Sequence, residues 1–314
     1  MTHKIILDTD IGDDIDDALA LGLILASPEV ELLGVTTVFM NTAARGRQAR
    51  TVLSAAGRRD VPVSAGCGAT LSLRLDVGLD PRAAYLAGEL PNQDASCLPE
   101  AQLPPADPRH GVDFLIDTLM AGAGDITVVT IGAMTNLAMA LVKEPRLIAR
   151  IPRVLAMAAA FDRQMAEWNI RCDPVAAALV LHSGVPVDLV GLDVTTQVQF
   201  RAADLAALAA SPSPLCANLS RAIAAWAAHS GWAHQIDGRP IMHDPLAVAT
   251  LLDDGLVTWR RGRANVELQG EATYGYTTFA LDENGPHRYA AAVNATAALD
   301  LYIHRLLAYA PAAN

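Results

Sequence analysis

The stretch Lys4-Ile5-Ile6-Leu7-Asp8-Thr9-Asp10-Ile11-Gly12-Asp13-Asp14-Ile15-Asp16-Asp17-Ala18-Leu19-Ala20-Leu21 decides the fold. Lys4 to Leu7 reads as a buried strand, and the Ala- and Leu-rich run to Ala26 reads as a helix. Between them, six aspartates fall within the ten positions from Asp8 to Asp17. The unit is strand, acidic loop, helix, with carboxylates at the strand's C-terminal end. Carboxylates this dense repel one another unless positive charge sits among them. A helix N-terminus supplies part of that field. A hard divalent cation, calcium or magnesium, takes oxygen ligands and supplies more. Helix capping would account for Asp16 or Asp17, but not for six aspartates. An EF-hand is a poor match: counted from Asp8, the twelfth position is Leu19 instead of Glu, and Gly12 is fifth instead of sixth.

Working outward, Glu31–Val38 reads as a second strand, and a helical pattern runs from Asn41 to about Gly57. Val61–Ala65 is a short third strand. Residues 68–109 are rich in Pro, Gly, Asp and Asn with no clear period, which marks a long excursion, a lid or part of an interface. Helix Gly111–Ala121 follows. Asp125–Ile131 is β-branched and uncharged after its first residue, as a strand buried on both faces requires. A Gly132–Asn136 turn leads into a helix ending near Lys143. Arg153–Met157 and Val187–Gly191 are further strands, with a helix begun by Asp173-Pro174 between them. Helices are expected over Ala202–Ala228, from His243 onward, and over Ala295–Ala308, with late strands at Ala264–Leu268 and Thr277–Leu281.

Strands alternating with helices imply an α/β fold: a single domain over residues 1–314, with a doubly wound, mostly parallel, Rossmann-like sheet and helices on both faces. Ligands of such sheets bind outside the carboxyl ends of the strands. Asp8–Asp17, Asn41, the 131–136 turn and Glu167-Trp168-Asn169 each follow a predicted strand, so they are expected to form one site.

Composition narrows the function. With 52% hydrophobic and 18% charged residues over 314 positions, the chain can bury a large core. A net charge of -11 and a pI of about 5.1 disfavour nucleic acid or an anionic membrane as partner. Cys67, Cys97, Cys172 and Cys216 form no C-x-x-C pair, which points to reduced thiols in a cytoplasmic protein. The first strand starts within three residues, leaving no room for a signal peptide, and no apolar run reaches membrane-spanning length.

Five segments together resemble the nucleoside hydrolase family of the inosine-uridine-preferring type: DTDIGDDIDDALAL at 8–21, TTVFMN at 36–41, IGAMTN at 131–136, AEWNIRCDP at 166–174 and MHDPLAV at 242–248. The resemblance implies calcium-dependent hydrolysis of the N-glycosidic bond of ribonucleosides to ribose and free base. It implies that Asp10, Asp17, Asp244 and the Ile131 carbonyl hold calcium, and that Asp10 is the base toward the water on that ion. Asp16, with Asp14 as the alternative, and Asn41, Glu167 and Asn169 would hold the ribose. His243 would stand near the nucleobase and assist its departure, with His229 and His234 in reserve. The family is commonly dimeric or tetrameric, which implies a homo-oligomer acting on a small nucleoside.

Several positions depart from the family pattern. Three residues, Asp13-Asp14-Ile15, separate Gly12 from Asp16-Asp17-Ala18, where the family usually has one. Ala158-Ala159-Ala160 stands where consecutive glycines are common, and a histidine-glycine element of the early loop is absent. These departures bear on base specificity more than on the core reaction.

Two other functions compete. A haloacid-dehalogenase-like phosphatase would use Asp8 as a phosphorylated nucleophile with magnesium, but leaves the 166–174 and 242–248 segments unexplained. A calcium-dependent nucleoside-binding protein without turnover is the second alternative, and the intact Asp10, Asp244 and Glu167 argue for turnover. Bland roles also exist: Asn41 and Asn169 as loop caps, Glu167 in a surface salt bridge, Trp168 in the core, and His243 and His110 at helix starts.

Overall fold

The computed structural model describes residues 2–72 and 92–310. The middle of the predicted excursion, 73–91, lies outside them, and with it the expected lid or interface. One sheet orders its strands β3-β2-β1-β4-β5-β6-β9-β7-β8. These are β1 (His3–Thr9), β2 (Val30–Thr37), β3 (Val63–Ala65), β4 (Ile126–Thr130), β5 (Val154–Met157), β6 (Val187–Val190), β7 (Val257–Val266), β8 (Thr277–Leu281) and β9 (His287–Val293). Pairing is parallel from β3 through β9, and antiparallel where β7 meets β9 and β8.

The apolar runs are continuous because both faces of the central strands are covered. On β1, Ile5 and Leu7 join one core and Ile6 the other. On β5, Leu155 and Met157 join the first, Val154 and Ala156 the second. The first core is roofed by helices α1 (Asp16–Leu25), α2 (Thr42–Ala55), Pro214–His229, His243–Leu252 and Ala295–Ala308. The second is roofed by Gly111–Ala121, Thr135–Lys143 and Pro174–His182. Among the described residues, no helix is long and apolar enough to cross a membrane.

The chain runs outward from β1 to β2 and β3, then returns to β4 on the other flank of β1. That reversal opens a crevice at the carboxyl ends of β1 and β4, where ligands of such sheets bind.

The late β element is larger than the sequence suggests. β7 starts at Val257, well before the expected Ala264, and β9 was not anticipated. Both carry polar or arginine residues that hide the strand pattern. Tertiary contacts fix them: Arg288 stacks over Trp259, 4.1 Å from the ring centroid, and pairs with Asp188 on β6 and with Asp254. The expected helical stretch 202–228 is two helices, Ala202–Ala210 and Pro214–His229, broken where Pro214 starts the second.

Just beyond β5, Ala159 has φ +82, the left-handed region. That conformation costs a residue with a Cβ about 1–2 kcal/mol, whereas glycine's extra unfolded-chain freedom costs about 0.5–1 kcal/mol. Ala159→Gly should therefore raise stability by about 0.5–1 kcal/mol. Urea unfolding checks this, and a loss of stability would show that the alanine is unstrained.

Candidate active site

β1 delivers Asp8 and Asp10 to the crevice, and the loop after it passes through Gly12, whose φ of +125 suits glycine. Room for Asp10 comes from Gly132 after β4: a Cβ there would lie 2.8 Å from Asp10 Oδ1 and 2.9 Å from its backbone nitrogen. α1 begins at Asp16 with Ile15 as a cap that makes no side-chain bond, so neither Asp16 nor Asp17 is a capping residue. α1 packs against the helix His243–Leu252, so the first turns of both meet. The two positive helix ends thus face the same carboxylates.

Asp16, Asp17 and Asp244 are all buried, with carboxylate oxygens within 4.8 Å of one another. Burial drives all three carboxyls well above the usual range. Mutual repulsion, with contributions from Asp10, adds to it. Asp10 rises to about 6, chiefly by burial, while the Arg45 charge pulls it back. Asp14, half-buried, is also pushed up by burial to about 6. A buried set of hard oxygen donors in mutual repulsion fits a divalent cation. The closest carboxylate triplet thus contains Asp16, expected on the ribose, while Asp10 of the expected metal set stands beside it.

The remaining predicted residues are placed as follows. Asn41 caps α2, its Oδ1 accepting from the Ala44 N–H at 3.0 Å, which leaves its amide nitrogen to offer a ligand. Glu167 is buried, not in a surface salt bridge. Its carboxylate accepts the N–H groups of Asn169, Ile170 and Ala159 at 2.8, 3.1 and 3.2 Å. Burial still lifts it to about 7. Asn169 donates from Nδ2 to the carbonyls of Ile131 at 3.1 Å and Met157 at 3.0 Å, so its oxygen is what it presents. The Ile131 carbonyl therefore already accepts one bond, with a second lone pair remaining.

His243 is half-buried against Thr195, Oγ1 to Nδ1 at 2.8 Å. Burial pushes its imidazole down to about 4. That shift favours the neutral ring. His229 and His234 are exposed on neighbouring helices. His110 caps its helix through Nδ1, and Trp168 is exposed rather than in the core.

Asp8 is fully buried, with Oδ1 held by Thr36 Oγ1 at 2.6 Å and Asn136 Nδ2 at 2.7 Å. A nucleophile so enclosed cannot reach a phosphate, which removes the phosphatase alternative. The residue that sequence reasoning missed is Arg45 on α2. Buried, it donates to the carbonyls of Asp10, Ile11 and Phe39 and pairs with Asp13 at 2.6 Å. The spacing from Asn41 to Arg45, one helical turn, was its only signal. Asn136 and Thr195 were also missed as partners of Asp8 and His243.

A doubly wound sheet with a carboxylate-lined crevice at its switch point sets hard oxygen donors where such folds bind their ligands. The description of inosine-uridine preferring nucleoside hydrolases matches residues 5–303, and the chain belongs to that family, whose members hydrolyse N-glycosidic bonds. It is 35% identical over 284 residues to the inosine-uridine preferring nucleoside hydrolase of Leishmania major, covering 88% of this chain and 87% of that one. It is 33% identical to the pyrimidine-specific ribonucleoside hydrolase RihA of Salmonella typhimurium, covering 99% and 100%. A solved purine-preferring ribonucleoside hydrolase from Gardnerella vaginalis matches with a TM-score of 0.83 at 28% identity, over 97% and 98% of the two chains.

The raised carboxyl values have a sign. Native Asp10 and Asp14 keep protons up to about pH 6 that the unfolded chain releases near 3.8, and Asp16, Asp17 and Asp244 are also raised well above the ordinary carboxylate range. The native state binds more protons in that window, so stability without metal falls as pH rises. Thermal melts in chelator should give a lower Tm at about pH 8 than at about pH 5. A Tm that rises over that interval would contradict the burial of these groups.

Proposed function

We propose that this chain is a calcium-dependent ribonucleoside hydrolase that uses Asp10 as the base toward water. The observation that carries this is the buried carboxylate group Asp16, Asp17 and Asp244 beside Asp10 at the carboxyl ends of β1 and β4. Calcium would be held by Asp10, Asp17, Asp244 and the Ile131 carbonyl, with Asp16 close enough to join them. When bound, the ion supplies Lewis-acid chemistry toward water and the ribose oxygens.

The chain's own residues do the rest. Asp10 takes the proton from the attacking water. Asp16 or Asp14, with Asn41, Glu167 and Asn169, would orient the ribose hydroxyls. Their oxygens face the positive charge that develops on the sugar as the base leaves. His243, oriented by Thr195, stands beside Asp244 and would face the departing base. Relatives named for pyrimidine, purine and inosine-uridine preference leave the base open. A panel of ribonucleosides, with free ribose and free base both quantified in chelator and after calcium is restored, tests the function. Release that chelator leaves untouched would sink the calcium requirement.

Asp10→Asn should lower kcat by about 10²–10⁴-fold, the usual range for losing a general base. Calcium affinity should weaken alongside it, as isothermal titration would read. Full activity in this variant would remove Asp10 from the mechanism.

A pocket built to bond a hydroxyl leaves buried polar groups unpaired when that hydroxyl is missing. Uridine should therefore be preferred over 2′-deoxyuridine by about 10⁴ in kcat/KM. Equal rates on the two would refute the ribose assignments.

A further inference from the structure

Five residues, Ile11 to Ile15, separate Asp10 from the start of α1 at Asp16. A loop of this length has many conformations open to it. Asp16 and Asp17 must nevertheless arrive opposite Asp244, and Ile15 gives α1 no side-chain cap to fix its start. The loop's own carbonyls show how it is held. Arg45 takes those of Asp10 and Ile11, the latter at 3.1 Å, and the Asp13 carboxylate at 2.6 Å. Asn92 Nδ2 takes the Asp13 carbonyl at 2.8 Å, and the fully buried Gln93 takes that of Asp14 through Nε2. Gln93 is fixed in turn by Gln48, Nε2 to Oε1 at 3.1 Å. Gln48 and Arg45 both belong to α2.

We propose that Arg45 and Gln93 are positioning residues that clamp the acidic loop, so that Asp16 and Asp17 meet Asp244 in the geometry the reaction uses. The catalytic consequence rests on the nucleosidase function proposed above; the clamp itself rests on the bonds just described. Arg45 acts through its planar fork, which reaches two carbonyls and a carboxylate at once, and a lysine ammonium cannot reproduce that. Charge alone would work the other way, since removing a cation beside a metal site favours the metal. The two roles therefore predict opposite changes in calcium affinity.

Three variants test this in the full chain: Arg45→Lys, Arg45→Met and Gln93→Leu, the last close in size but without a donor. Each is measured by hydrogen–deuterium exchange, calcium titration, and kcat and KM on a ribonucleoside. The expected result is faster exchange confined to residues 10–17, with calcium affinity and kcat each lowered about tenfold or more, and KM changed far less. Gln93→Leu keeps the test intact should the Arg45 variants fail to fold. Wild-type exchange over residues 10–17 in Gln93→Leu and Arg45→Lys would overturn the clamp, as would tighter calcium binding in Arg45→Met. A wild-type protein that releases no ribose and binds no calcium would sink the nucleosidase function instead, and exchange over the loop would then decide the clamp alone.

Discussion

Arg45 lies buried beneath a loop of aspartates, its guanidinium against the carbonyls of Asp10 and Ile11 and the carboxylate of Asp13. Burying a cation is costly in itself; Asp13 and Asp10 outweigh that cost and keep the group charged. The converse holds for the acids. Asp10, Asp16, Asp17 and Asp244 are removed from water within one crevice, and the Arg45 charge eases Asp10 and Asp17 only in part. The loop is stable in one shape because its backbone is bonded from below, while its side chains remain in unrelieved repulsion. Unrelieved repulsion among hard oxygen donors is what makes such a place receptive to a divalent cation.

The sheet converts this local arrangement into a site. Parallel strands end on the same edge, so the residues after β1, β2, β4 and β5 converge although they are far apart in sequence. Several side chains in the crevice have two jobs. Asn41 caps a helix and offers an amide; Glu167 binds three backbone N–H groups and remains an acceptor. Asn169 ties β5 to the Ile131 carbonyl. Such residues are pre-organised by the backbone they stabilise, which lowers the cost of holding a substrate in one pose.

Much of this was legible along the chain. Uncharged β-branched runs such as 126–130 read as strands covered on both faces, and six aspartates between a strand and a helix pointed to a metal or catalytic site. Asp173-Pro174 announced its helix, and the final helix falls at Ala295–Ala308 as its pattern indicated. β9 was not legible, because Arg288 belongs in a strand only when Asp188, Asp254 and Trp259 are there to receive it.

The local pattern determined which residue types reach the crevice and from which strand ends, because side-chain alternation and strand–helix order are properties of neighbours in sequence. Tertiary structure decided which carboxylates meet. Asp16 and Asp17 lie nearest Asp244 because α1 packs on the helix His243–Leu252, a contact between segments more than two hundred residues apart. It also lowers the proton affinity of His243, since its surroundings and not its place in the chain set it. Arg45 looks like one surface arginine among several until the loop folds over it, and only then does its charge have aspartates to balance.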